Sequence, residues 1–331
     1  MKAKTKANLF LFAIFTALFL CSCKQAALTT GGPIAKRGIR VINEDGEPMV
    51  GIPVSMSFNR QEGNVEGKTN TSGIFTHTAR TVEGVGFRIN IDGYYPSGGG
   101  LPDLKEVAFG RWQPWGKTDD VLIRKIINPI PMYAVKMIKI QLPELETPCG
   151  YDLLKGDWVR PWGQGTHGDI VFEAVSETRM PLDYYRKLKI SFSNKGDGLI
   201  VVDHPNWEPR VYSSFQMDRY APMNGYQEEY VIERHRNEDQ VFKPGNLDYA
   251  YYFRVRTRLD RNGNTKEGYY GKIQEPFKII PSGDNLEKIS VRFGYYLNPN
   301  SNDPNLEFKK GSSLFSETGI YTEKEINEVH L

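Results

Sequence analysis

The sequence predicts an all-β protein built from two β-sandwich modules with little helix. Three observations carry that expectation. Apolar residues recur at period two in segment after segment, as in Val54, Met56 and Phe58. The segments are separated by short turns centred on Asp45-Gly46, Ser72-Gly73 and Asn262-Gly263, where glycine supplies the left-handed backbone that tight turns need. No stretch of useful length carries an apolar stripe at helical spacing. With 331 residues, 39% hydrophobic and 12% aromatic, the chain has material for two cores.

Residues 1–22 read as a secretory signal. Lys2, Lys4 and Lys6 precede an apolar run from Leu9 to Leu20, and small residues follow. The run is about 12 residues long, whereas a bilayer-spanning helix needs ~20. The junction resembles a bacterial lipobox, with Leu20 and Ser22 upstream of Cys23. That resemblance implies diacylglyceryl transfer to the Cys23 thiol, cleavage after Ser22 and acylation of the new terminus by a palmitate-type chain. A junction at Cys21 would instead place bulky Leu20 directly before the cut. Several acyl chains on one residue anchor a protein durably where one does so marginally. Lys24 replaces the aspartate that retains enteric lipoproteins at the inner membrane, which by resemblance favours the outer membrane, periplasmic or surface-facing. Residues 23–36 are small, polar and glycine-rich and suit a flexible tether.

Removing residues 1–22 leaves 39 basic against 40 acidic side chains, so no broad cationic field for nucleic acid is expected. Of three cysteines only Cys149 lies beyond the signal region, which precludes a disulfide or a cysteine-based zinc site within one mature chain. Cys149 reads as a small buried apolar residue.

The first module is expected over residues 37–146. Ile39 and Val41, then Val54, Met56 and Phe58, alternate on either side of the Asp45-Gly46 turn. Gly67–Ala79 and Gly84–Pro96 continue in the same manner. The segments "VINEDGEPMVGIPV", "GKTNTSGIF" and "INIDGYY" together resemble the carboxypeptidase regulatory-like, transthyretin-like β-sandwich module. The resemblance covers about 60 residues, mostly turn positions and alternation. It implies a fold of transthyretin or immunoglobulin type and a spacer or adhesion role. Asp119–Ile127 and Tyr133–Leu142 alternate like strands, Pro129 and Pro131 bar a helix between them, and the proline-rich run to Gly150 reads as a linker with the boundary near 146.

Residues 147–315 are expected to form a second sandwich or jelly-roll-like domain of seven or more strands. Residues 316–331 read as a tail, with Thr322 and Glu325 spaced as a helix-capping pair.

No cofactor or metal site is predicted. Gly163, Gly165 and Gly168 match the letters of a dinucleotide-binding loop, but a strand follows them where the pyrophosphate needs a helix N-terminus. His167, Asp169, Asp203, His204 and His235 lack zinc-site spacing, and Asp260, Asn262 and Asn264 start a calcium-loop pattern that fails at Thr265 and Gly271. Glu173, Glu177, Asp197 and Asp203 are carboxylates without a motif. Arg254, Arg256 and Arg258 alternate along one strand and would form a cationic stripe on one face.

The candidate ligand-contact aromatics are Trp112 and Trp115 in "GRWQPWG" and Trp158 and Trp162 in "GDWVRPWG". An indole plane can cover a sugar face, and the same rings can serve as architecture. The expectation is a lipid-anchored cell-envelope protein with a non-catalytic binding or structural role, its partners a membrane and a glycan or envelope protein. The alternative is a secreted carbohydrate-active hydrolase with a catalytic second domain.

Overall fold

Alternation becomes strand along most of the chain. In the computed structural model the described residues are 32–59, 63–82, 84–101, 104–180, 183–203, 212–236, 249–282 and 285–327. The lipidation position Cys23 and His204 lie outside them. The chain divides into two units, residues 1–126 with 208–215, and residues 127–207 with 216–331.

The first unit contains β1 (Ile34–Ile42), β2 (Pro53–Asn59), β3 (Gly63–Lys68), β4 (Ile74–Arg80), β5 (Val85–Ile89), β6 (Ser97–Leu101), β7 (Glu106–Ala108), β8 (Arg111–Gln113), β9 (Lys117–Leu122) and, from far along the chain, β16 (Tyr212–Ser213). One sheet runs β4-β1-β8-β7 with β9 also on β1, the other β16-β6-β5-β2-β3. Ala35, Ile39 and Val41 of β1 meet Val54, Met56 and Phe58 of β2 and Val85, Phe87 and Ile89 of β5 in one core, which makes a sandwich. The Asp45-Gly46 turn forms as expected, with Asn43 Oδ1 accepting the amides of Asp45 and Glu47 at 3.0 and 2.8 Å and Gly46 at φ 80°. It hands the chain to the other sheet, so β1 and β2 are not partners. Instead β9 lies parallel to β1, from Arg37↔Lys117 to Ile42↔Leu122.

The second unit contains β10 (Ile130–Gln141), β11 (Cys149–Asp152), β12 (Asp157–Trp158), β13 (Ile170–Met180), β14 (Asp183–Ser191), β15 (Gly198–Asp203), β17 (Glu229–Arg236), β18 (Tyr249–Leu259), β19 (Thr265–Ile273), β20 (Lys278–Ser282), β21 (Asn285–Leu297), β22 (Phe308–Ser313) and a short helix α1 (Glu323–Asn327). One sheet runs β15-β18-β19-β21-β10-β22 with β20 also on β21, the other β12-β11-β13-β14-β17. Phe172, Ile190, Tyr251, Phe253, Phe277, Val291 and Phe293 share its core. Rings interlock there, with Phe293 5.6 Å from Phe172 and 5.3 Å from Phe277 between centroids. On the opposite face of β18, Ala250 and Tyr252 join Met217, Ala221, Tyr270 and Leu306 in a smaller cluster. Both faces of β18 are therefore covered.

The all-β expectation holds, with differences in detail. The units divide at 126/127, not at 146, because β10 pairs with β21 and β22, about 150 residues or more away. The expected linker lies inside the second unit, and Leu142 and Cys149 on it are buried in that core. The expected tether ends before 36, since β1 begins at Ile34. Within the span expected for the second domain, Tyr212–Ser213 instead pairs with β6 of the first unit. After Leu297 the chain returns to the sheet as β22, parallel to β10. The expected tail is also part of the second unit. Phe315 and Ile326 are buried in its core, and α1 is capped by Thr322 and Glu325 in both directions, at 2.8 and 3.4 Å.

Candidate functional site

The segment from Asp152 to Asp169 is organised by its own carboxylates. β11 and β12 pair at Tyr151↔Trp158 and Asp152↔Asp157. Asp152 Oδ1 accepts the amides of Leu154 and Lys155, each at 3.1 Å. Its Oδ2 accepts the amides of Thr166 and His167 at 2.9 and 3.2 Å, and Asp157 Oδ2 accepts the Gln164 amide at 2.7 Å. The amides that a dinucleotide loop would offer to phosphate thus meet aspartates instead. Gly163 and Gly165 are required by crowding, because a Cβ on either would fall 2.4 or 2.8 Å from the Trp158 carbonyl oxygen.

Arg256 completes this arrangement. Its Nη2 reaches Asp152 Oδ1 at 2.7 Å, and its Nε and Nη2 donate to the two oxygens of Asp169 at 2.7 and 2.9 Å. Both carboxylates are 1% exposed, and the guanidinium together with the backbone amides compensates their desolvation. Burial raises the Asp152 carboxyl, but the Thr166 amide, the Arg256 charge and the other amides outweigh it and hold the group below the usual carboxylate range. Burial alone would make Arg256 easier to deprotonate; Asp169 and Asp152 overcome that and raise it.

The expected arginine stripe is corrected by a bulge. The β18–β19 register shifts between Val255 and Arg258, and Arg256 has φ 55°, a left-handed conformation costly for any residue with a Cβ. Asp197 holds this bulge by accepting the amides of Arg256 and Thr257 at 3.0 and 2.7 Å. The three arginines consequently part company. Arg254 is buried, donates to the carbonyls of Gly196 and Met223, and stacks over Tyr226 at 4.6 Å. Arg256 enters the carboxylate cluster, and Arg258 pairs with Glu267 on the surface. Sequence reasoning singled out Asp169 and Asp197 separately but missed Asp152 and the role of Arg256. The signal would have been the bulge, which alternation conceals.

The four tryptophans have different surroundings. Trp158 is buried and meets Tyr151 edge-on at 5.2 Å. Trp162 packs half-buried on the same core. Trp112 is half-buried against the first unit's core and donates its Nε1 to the Thr81 carbonyl at 2.8 Å. Only Trp115 of the four is exposed, at 37%, with the Arg111 guanidinium 4.8 Å over its ring. The sequence echo extends to the backbone, since Gln113–Pro114 and Arg160–Pro161 are both cis.

The Asp260 carboxylate accepts the amides of Asn262 and Asn264, each at 2.8 Å, inside the β18–β19 hairpin. His235 stands exposed on β17, opposite Tyr185. Among the described residues no group of three or more His, Cys, Asp and Glu is placed to hold a metal ion. Cys149 is buried, and burial pushes its thiol above the ordinary value.

A concave surface lies on the first unit, on the face of the β2–β3–β5 sheet that turns away from its core. Pro53, Ser55, Asn64, Glu66, Lys68, Arg88 and Asn90 border a depression of about 510 Å³. Register places Glu66, Ser55, Arg88 and Gly98 in one row across four strands, and Asn64, Ser57, Gly86 and Gly100 in the next. Small serines and glycines make the floor, and longer polar side chains make the rim. Sequence reasoning did not find this surface, because such residues on the outward face read as ordinary solvated strand positions.

No family model and no curated protein matches the chain. Among the solved structures that it resembles is a candidate carbohydrate binding protein from Bacteroides uniformis, at 10% identity and a TM-score of 0.17, covering 78% of this chain and 98% of that one. Another is BcpA, the major pilin subunit of Bacillus cereus, at 11% identity and a TM-score of 0.21, covering 78% of this chain and 95% of the other.

Proposed function

We propose that the chain is a lipid-anchored cell-envelope protein with a non-catalytic binding role, and that the outward face of the β2–β3–β5 sheet meets a glycan. One observation carries this reading. Ser55, Asn64, Glu66, Arg88 and Asn90 border one depression, and among the described residues none of their side chains is committed to a hydrogen bond or ion pair. Saccharides are recognised by donors and acceptors held on a rigid surface that the ring can approach closely. Strands about 4.8 Å apart hold these groups at fixed spacing, and the serine and glycine floor permits the approach. The Asp152–Asp169–Arg256 cluster contrasts with this surface. All four of its carboxylate oxygens already accept from Arg256 or from backbone amides, which suits a structural clasp better than the proton exchange a hydrolase requires. Cys23 as the acylated residue supplies the membrane attachment.

Titration with a panel of saccharides, those of the bacterial envelope among them, tests the binding surface. Arg88→Ala and Asn90→Ala are expected to weaken the best ligand at least tenfold, with the melting temperature unchanged. Ligand affinity indifferent to both would remove this face from consideration. For the anchor, Cys23→Ser is expected to abolish acyl labelling while Cys21→Ser leaves it intact.

A further inference from the structure

The β7–β8 hairpin ends in the residues that steric rules fit least. Its tip is Phe109-Gly110, with φ 50° and 72°, the left-handed pair of a tight hairpin turn that Asn and Gly usually occupy. Phe109 is fully exposed there, at 104%. Three more apolar side chains stand exposed around the same hairpin. Val107 is paired with Trp112 across the ladder, Trp115 lies under Arg111, and Val82 follows the Thr81 carbonyl to which Trp112 is bonded. Val107, Val82 and Trp115 are 51%, 41% and 37% exposed.

The path of the N-terminal segment leads to this same hairpin. The Ile34 amide donates to the Gly110 carbonyl at 3.0 Å, and the Thr81 amide to the Pro33 carbonyl at 3.1 Å. Arg80 Nη1 donates to the Gly32 carbonyl at 2.9 Å. Gly32 is packed so tightly that a Cβ would fall 2.8 Å from Val82 Cγ1. The first described residue, Gly32, therefore sits beside Val82, two residues before the Ile34 amide that meets the Gly110 carbonyl. Nine residue steps separate Cys23 from Gly32, a reach of at most ~30 Å when extended and a mean span nearer ~17 Å as a flexible coil.

We propose that this hairpin end is a membrane-contact surface, with Phe109 and Trp115 seated at the headgroup–acyl boundary of the bilayer that holds the lipid anchor. The proposal rests on acylation of Cys23. A tether this short keeps the hairpin within reach of the lipid. Exposed Trp and Phe are the side chains that partition to that boundary. Arg111, stacked on Trp115, and the neighbouring Arg80 place cationic heads where lipid phosphates lie. Three chemistries thus converge on one end of the first unit: an aromatic tip, cations beside it and the exit of the tether.

The test uses the full-length acylated protein in vesicles of phosphatidylethanolamine and phosphatidylglycerol with brominated acyl chains. An environment-sensitive fluorophore is attached at Phe109→Cys, and in a second variant at Asp45→Cys, beyond the other end of β1 and more than ~26 Å along the strand from Ile34. Cys149 is buried and Cys23 blocked by acylation, so labelling is confined to the new thiol. The expected result is a blue shift and at least twofold quenching at position 109, with position 45 unquenched. Equal, water-like emission from both labels on vesicles that retain the acylated protein overturns the proposal and leaves the anchor standing. Loss of vesicle binding with no acyl label detected fails the anchor itself, and the proposal with it. A blue shift at 109 that depends on protein concentration in lipid-free detergent assigns the surface to a second copy and also overturns the proposal.

Discussion

Arg256 and Asp152, 104 residues apart in sequence, meet at 2.7 Å between Nη2 and Oδ1. That contact ties the bulge in β18 to the loop that follows β11. Replacing Arg256 with Ala would leave Asp152 and Asp169 buried without their cation. Breaking a buried pair from one side costs about 3–5 kcal/mol, and urea unfolding is expected to show a loss of that size. The Arg258→Ala change, at the exposed pair with Glu267, is expected to leave the urea midpoint essentially unchanged.

The two carboxylates of the clasp should respond to acid with opposite signs. Asp152 is held below the ordinary value, so its contribution is present above the unfolded value of ~3.9 and is lost as the pH falls through the lower folded value. Burial keeps the Asp169 carboxyl above the ordinary value in spite of Arg256, so its contribution grows as the pH falls toward ~4. Melting curves between pH 7 and 2.5 are expected to separate them. Asp152→Asn should flatten the loss at the acid end, and Asp169→Asn should remove the gain just above it.

Two glycines at similar φ should tolerate alanine differently. Gly46 has φ 80° and open space where a Cβ would go, whereas Gly73 has φ 73° and would place its Cβ 2.8 Å from Pro48 Cβ and 2.9 Å from the Val41 carbonyl oxygen. Gly46→Ala is expected to destabilise by about 1–2 kcal/mol, the left-handed penalty alone. Gly73→Ala adds a clash of the overpacking kind, a further ~1–3 kcal/mol. Chemical denaturation of the two variants checks the difference, and equal losses would contradict it.

Cys149 should be inert while the protein is folded. It is fully buried, and burial raises its thiol, which lowers both access and the thiolate fraction. Alkylation by iodoacetamide at pH 8 is expected to be at least a hundredfold slower in the native protein than in 8 M urea.

Local features were legible because their causes are local. The Asp260–Asn264 turn follows from Asp, Asn and Gly at fixed offsets, the α1 cap from Thr322 and Glu325, and the burial of Cys149 from its residue type. Pairing was not legible. Period two states which face a residue occupies and nothing about which strand lies beside it, so β9 parallel to β1 and β10 against β21 could not be read. The bulge at Arg256 was hidden for a related reason. Alternating arginines look like one face until an extra residue turns one of them, and the amides that stabilise that turn belong to a bond with Asp197, about 60 positions earlier. The four tryptophans were visible as a pattern, but their separate surroundings depend on which core or side chain each one meets.

The β16 segment has a consequence for how the chain is made. Ser214 donates its amide to Pro96, and Phe215, fully buried, stacks on Tyr95 at 5.0 Å with Arg124 over its ring at 5.6 Å. The first unit thus acquires its last strand from residues translated some 85 positions after the unit's main body has ended. On the ribosome it must wait, with the edge of β6 bare, until that segment emerges. A fragment ending at residue 126 would keep that edge permanently unpaired, a template for joining other chains. The two units are therefore interleaved along the gene, although each has its own core, and neither can be excised as a continuous piece.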